Sequence, residues 1–212
     1  MPFLAAYGVG KGLEGSLVVH TPPAQTPLDR AMDRYADGDE AAFATVYDLL
    51  APRLFPYLLR HTGSRASAED ILQQTLFRMH QARGSFVRGA PVLPWAFAIA
   101  RRLHIDSMRR GRREVLARED DGVAEEAIAH DPRADELVAA AETAARLADE
   151  MGRLPENQRV AFRLVKEEGL SMAEAAAVLG VTVTAVKLRA HRAYEALRRA
   201  LGEDAATKKE TP

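Results

Sequence analysis

The chain has no cysteine, which excludes disulfides, iron-sulfur clusters and thiolate zinc sites and fits a reducing compartment. Its six histidines, His20, His61, His80, His104, His130 and His191, provide no pair three or four residues apart. The usual metal-binding pair on one helix face is therefore missing. No stretch approaches the roughly 20 apolar residues that span a bilayer. Gly8, Gly10, Gly12 and Gly15 interrupt the only candidate signal-peptide core. The GVGKG near the start lacks the spacing and the trailing Ser or Thr of a phosphate-binding loop. Isolated Ser and Asp residues read as helix caps. These absences argue against membrane insertion, against a bound cofactor or metal, and against an enzyme.

Net charge is also scarce, at −1 over 212 residues, but the signs are segregated. Residues 101–113 hold six arginines against one acid, residues 187–199 five basic residues against one acid, and residues 119–136 eight acids against one arginine. With 47% hydrophobic residues the chain can bury real cores, in one or two domains. The expected fold class is all-α: two small helical domains joined by a flexible acidic linker, the C-terminal one a helix-turn-helix.

Residues 1–27 carry many Gly and Pro without sustained periodicity and read as an irregular extension. Residues 28–113 divide into about four helices. Asp39 can cap a helix carrying Phe43, Val46, Tyr47 and Leu50, which Pro52 breaks or kinks before Leu54, Leu58 and Leu59. Pro56 weighs further against one continuous helix. Ser67 with Asp70 opens the next, with Ile71, Leu72, Thr75, Leu76 and Met79 as its buried side and Asp70, Gln73, Gln74, Phe77 and Gln81 opposite. An apolar Phe77 on that polar face marks a surface for another protein or, equally, a wide core contact. A loop with Gly84, Gly89, Pro91 and Pro94 follows, and a helix begins at about Pro94 or Trp95. Its first half is apolar on several sides, and it ends in Arg109, Arg110, Arg112 and Arg113. Together with Arg101 and Arg102 these create a field suited to phosphates, with Phe86 in the preceding loop as a base-stacking platform. Trp95 fits the apolar stripe and reads as core.

Residues 114–136 form the acidic linker, punctuated by Gly122 and Pro132, and its composition suits a solvated tether. In residues 137–202, ahead of a short tail at 203–212, the organising stretch is Gly169 to Leu201. Ser171 and Glu174 form a capping-box signature, Gly180 permits a sharp turn, and a second helix starts at Thr182. On that helix Val183, Val186, Ala190, Ala193, Leu197 and Leu201 share one face. Thr184, Lys187, Leu188, His191, Arg192 and Arg199 lie on or beside the other. A braced helix with a basic outer face is what a major-groove reader requires, and an exposed Leu188 has a thymine methyl as a natural partner. An ordinary helical hairpin with a solvated basic face is the plainer alternative.

AEDILQQTLFRMH, then PWAFAIARRLHIDSMRRGRR, then an acidic linker, then LPENQRVAFRLVKEEGLSMAEAAAVLGVTVTAVKLRAHRAYEALRR together resemble the extracytoplasmic-function sigma factors of bacterial RNA polymerase, two-domain members of the sigma-70 superfamily. The resemblance covers about residues 29–113 and 137–201. It implies a cytoplasmic transcription initiation factor that binds core polymerase through the largest-subunit clamp helices and the flap, together with promoter DNA, and that a cognate anti-sigma factor restrains. It implies that Asp70, Gln73, Gln74 and Phe77 face the clamp helices, with Gln74 where Glu is commoner and His80 where Trp is commoner. Phe86, Arg101, Arg102, Arg109 and Arg110 fall in the part that opens and captures the minus-ten element, Arg102 standing where many members have Asn. Thr184, Lys187, Leu188, Arg189, His191 and Arg192 fall among or beside the minus-thirty-five readers. It further implies that the linker acids Glu119, Asp120, Asp121, Glu125 and Glu126 lie near the RNA path. The competing function is a stand-alone dimeric helix-turn-helix regulator, which would bind a palindromic duplex on its own. A pure protein-interaction module leaves both arginine clusters without purpose.

Overall fold

The computed structural model describes residues 25–117 and 136–207, with side chains over 25–111 and 144–200. The expectations for residues 1–24, for the linker acids within 118–135 and for the tail at 208–212 lie outside the described residues. Every regular element among those described is helical, and the chain divides into two compact units, Met1–Glu126 and Ala127–Pro212.

In the first unit, α1 (Pro27–Ala36) opens on a capping box between Thr26 and Asp29, with Pro27 in its first turn. After a short turn, α2 (Ala42–Thr62) runs without interruption through both Pro52 and Pro56, correcting the expected break. The residues whose carbonyls the two prolines leave free, Asp48 and Pro52, are themselves exposed. Opposite, Val46, Leu50, Leu54, Tyr57 and Leu58 form one buried stripe across both prolines. Asp39 accepts from the Ala41 N–H at 3.1 Å without capping the helix itself. Gly63, at φ 66°, ends α2.

Helix α3 (Arg65–Ala82) is capped by Ser64, which accepts from the Ser67 N–H; Ser67 is thus inside the helix and not its cap. A 3-10 turn, Arg83–Ser85, leads to the loop before α4 (Val92–Ala117). That helix starts two residues ahead of Pro94, because the Val92 N–H finds its acceptor across the fold in Asp29 Oδ1 at 2.9 Å. Helices α1, α2 and α3 pack with α4 around Met32, Leu50, Leu54, Leu58, Met79 and an edge-to-face Tyr57–Phe97 pair at 4.9 Å.

In the second unit, α5 (Glu136–Arg153) and α6 (Glu156–Phe162) precede a π turn, Arg163–Glu167, then α7 (Met172–Leu179) and α8 (Val183–Thr207). Helix α8 packs on α5, α6 and α7. Ser171 and Glu174 complete the expected capping box: the Glu174 N–H donates to Ser171 Oγ at 3.2 Å and the Ser171 N–H to the Glu174 carboxylate at 2.7 Å. Gly180 takes the left-handed conformation, φ 65° and ψ 38°, and turns the chain. Thr182 Oγ1 then accepts from the Ala185 N–H at 3.2 Å. Ala161, Leu164, Ala175, Ala176, Val186, Ala190, Ala193 and Leu197 fill the interior, and Val165 is half-buried.

Candidate nucleic-acid interface

Helix α8 shows what a short turn after α7 presents. Val186, Ala190, Ala193 and Leu197 point inward, while Thr184, Lys187, Leu188, His191 and Arg192 are exposed and Arg189 is half-buried. Val183 corrects the expected core face: it is 40% exposed, at the first residue of the helix. Leu188 keeps 47% of its surface in water, an unfavourable position for an aliphatic side chain unless a partner covers it. Tyr194 is an exposed residue that sequence reasoning missed. Its spacing from Lys187 and His191, seven and three residues, puts it on their stripe, so the same helical wheel could have found it. Farther along, Arg198 pairs with Glu195 at 3.2 Å.

On α4, Arg102, Arg109 and Arg110 are exposed and Arg101 is half-buried. Arg102 and Arg109 share one stripe, and Arg102 lies 4.0 Å from Asp106. The side chains of Arg112 and Arg113 lie outside the described set. Phe86 corrects its expected role. It is 7% exposed and packs against Trp95 with ring centroids 5.1 Å apart, so it anchors the loop from inside and offers no stacking surface. The loop's exposed residues are Val87, Arg88 and Gly89.

On α3, Phe77 is 58% exposed, which removes the wide-core reading of that residue. Asp70, Gln73 and Gln81 are exposed on the same side, and the Gln74 amide, half-buried, donates to Asp70 at 2.8 Å. At the end of this helix, the Tyr35 hydroxyl and an Arg83 guanidinium N–H converge on His80 Nδ1, so that nitrogen accepts and the ring proton sits on Nε2. Arg83 is raised above its ordinary pKa first by its hydrogen bond to Tyr35, against some desolvation, with Glu40 adding attraction at 2.8 Å. Among the described residues no group of three or more His, Asp or Glu gathers to hold a metal ion, and no helix is long and apolar enough to cross a membrane.

A chain whose described elements are all helical, with a helix-turn-helix in one unit and an arginine-bearing helix in the other, is, by class, a DNA-binding protein. A family profile described as Sigma-70 region 2 matches residues 46–114, and one described as Sigma-70, region 4 matches residues 144–197. The chain is 34% identical over 173 residues to RNA polymerase sigma factor CarQ of Myxococcus xanthus, covering 81% of this chain and 96% of CarQ. It is 37% identical over 177 residues to ECF RNA polymerase sigma factor SigF of Caulobacter vibrioides, covering 82% and 93%. Among solved structures it resembles the sigma factor RpoE, crystallised with the anti-sigma factor NepR from Bartonella quintana. There the TM-score is 0.61 at 28% identity, over 76% of this chain and 96% of that one. It also resembles CnrH, solved with the cytosolic domain of CnrY, with a TM-score of 0.58 at 25% identity over 84% and 99%. The chain belongs to the ECF sigma factors of the sigma-70 family, the proteins of promoter recognition and transcription initiation.

Proposed function

We propose that the chain works as a non-enzymatic sigma factor in the cytoplasm, dividing promoter recognition between its two units. The second unit reads the minus-thirty-five duplex with Thr184, Lys187, Leu188, Arg189, His191 and Arg192 and touches the polymerase flap. The first holds the clamp helices of the largest subunit with Asp70, Gln73, Gln74 and Phe77. It captures the opened minus-ten strand along α4, where Arg101, Arg102, Arg109 and Arg110 supply phosphate contacts. Capture matters because unpaired bases re-anneal unless held. Phe86 serves this surface indirectly, by seating the loop beside it.

The observation that carries the reading is the outer face of α8: Lys187, Leu188, His191 and Arg192 stand together in solvent, on the second helix of a helix-turn-helix. A major groove of about 12 Å admits an α-helix. The RpoE structure with an anti-sigma factor supports a restraining partner of the same kind here, one that occupies the polymerase-binding faces.

The test is transcription in vitro with purified core polymerase, the full chain and a pool of promoter fragments. Core-dependent transcripts are expected from wild type and are lost with Lys187→Ala combined with Arg192→Ala. Duplex binding by the chain alone, with no transcript from any fragment, contradicts the proposal.

A further inference from the structure

Three aspartates, Asp29, Asp33 and Asp37, stand four residues apart on one side of α1 and its C-cap. Each grips a different point of the loop that leads into α4. Asp29, 7% exposed, accepts from the Val92 N–H at 2.9 Å with Oδ1, while its Oδ2 closes the capping box with Thr26. Asp33 accepts from the Gly89 N–H with both oxygens, at 3.1 and 3.3 Å. Asp37 binds Arg88 Nε at 2.7 Å, and the same guanidinium donates to the Phe86 carbonyl at 2.9 Å.

The segment so held is a β-turn. The Ala90 N–H closes it on the Val87 carbonyl at 3.0 Å, with Gly89 at φ 77° in the third position, where positive φ is required. The N–H of that third residue has no acceptor inside such a turn, and Asp33 supplies one from another helix. Beneath the turn only Phe86 enters the core, against Trp95; Val87 and Arg88 point outward. The turn contributes little to the core, yet two carboxylates restrict it and a third holds the start of α4 just beyond. Without these donors, like charges one turn apart on α1 would only repel.

We infer that Asp33 and Asp37, with Asp29 behind them, are positioning residues for strand capture: they hold the Val87–Ala90 turn and the start of α4 in the one arrangement that receives the unpaired minus-ten strand. This rests on the strand-capture reading above and assigns the residues that pre-organise it. A loop fixed before the strand arrives loses less conformational freedom on binding.

The experiment uses holoenzyme made from the full chain and core polymerase, on a promoter fragment that the wild-type holoenzyme selects from the pool. Permanganate reactivity of unpaired thymines reads the opened strand. Asp33→Ala removes the acceptor for Gly89, whereas Asp33→Asn keeps a side-chain carbonyl in the same place. Opening is expected to fall about tenfold with Asp33→Ala, the effect of one lost charge-assisted hydrogen bond. Asn should recover most of it, while core affinity, upstream duplex protection and thermal midpoint stay close to wild type. Opening within about twofold of wild type for Asp33→Ala overturns the inference. So does an Asn variant as defective as Ala, or core binding that falls in parallel with opening. Unreactive thymines with the wild-type holoenzyme defeat the strand-capture reading itself, and the inference with it.

Discussion

The two units are fastened by different means. The first packs large side chains, Tyr57, Phe97, Met32, Leu50, Leu54 and Leu58 among them, and ties its helices by polar links between residues far apart in sequence. Val92 reaches Asp29 over 63 residues, Gly89 reaches Asp33 over 56, and Tyr35 reaches His80 over 45. The second unit packs small side chains, with Ala161, Ala175, Ala176, Ala190 and Ala193 letting helices approach closely around Val186, Leu164 and Leu197. Its fastenings include short-range ones: Ser171 with Glu174, Thr182 with Ala185, Arg159 with the carbonyls of Met151 and Gly152. A reading head built from local motifs is compact and easily carried by one turn. A unit that must present a helix face and a shaped loop together needs long-range ties.

That contrast can be broken or sharpened by substitution. The largest effect is expected from Phe97→Ala, which empties a fully buried site against Tyr57 and should cost about 3–5 kcal/mol. Urea unfolding followed by Trp95 fluorescence checks it, because the single Trp reports on the first unit alone. The complementary probe, Ala193→Leu, overfills the second core at a cost of about 1–3 kcal/mol. It should lower the far-ultraviolet dichroism midpoint and leave the Trp95 midpoint unmoved. Asp29→Ala leaves the Val92 N–H and the Thr26 box unsatisfied, for about 2–3 kcal/mol in the Trp95 transition. Ser171→Ala, the same kind of loss made locally, should cost about 1 kcal/mol in the other unit. Equal penalties for the two caps would dissolve the distinction between long-range and local fastening. The smallest effect concerns binding: Lys187→Ala should lower the slope of log affinity against log salt by about 1 if Lys187 meets a phosphate. Titration of holoenzyme on promoter duplex at several salt concentrations measures it.

The same contrast explains what was legible in the sequence. The helix-turn-helix could be read almost whole, since a capping box, a left-handed Gly and a 3.6-residue stripe are local signals that survive without tertiary context. The outward placement of Lys187, Leu188, His191 and Arg192 followed from that stripe, and Val183 departs from it at the first residue of α8, where it is 40% exposed. The buried side of α3 was legible for the same reason, and so was the face around Phe77. In the first unit the misread features depended on distant partners or on packing. Helix α4 starts early because Asp29 caps it from another helix, and α2 stays whole because its buried stripe outweighs two prolines, whose i−4 residues Asp48 and Pro52 are exposed. Phe86 reads as an exposed aromatic in a Gly-rich loop until Trp95 is seen to cover it.

The division of labour between the units is the central claim, and footprinting measures it most directly. Holoenzyme on a selected promoter is probed in one reaction for upstream protection and for permanganate-reactive thymines, with wild type, with Lys187→Ala combined with Arg192→Ala, and with Phe77→Ala. The α8 variant should lose upstream protection while keeping its affinity for core polymerase, and Phe77→Ala should weaken core binding and lose both signals with it. Upstream protection that survives the α8 substitutions, or core binding indifferent to Phe77, contradicts that division.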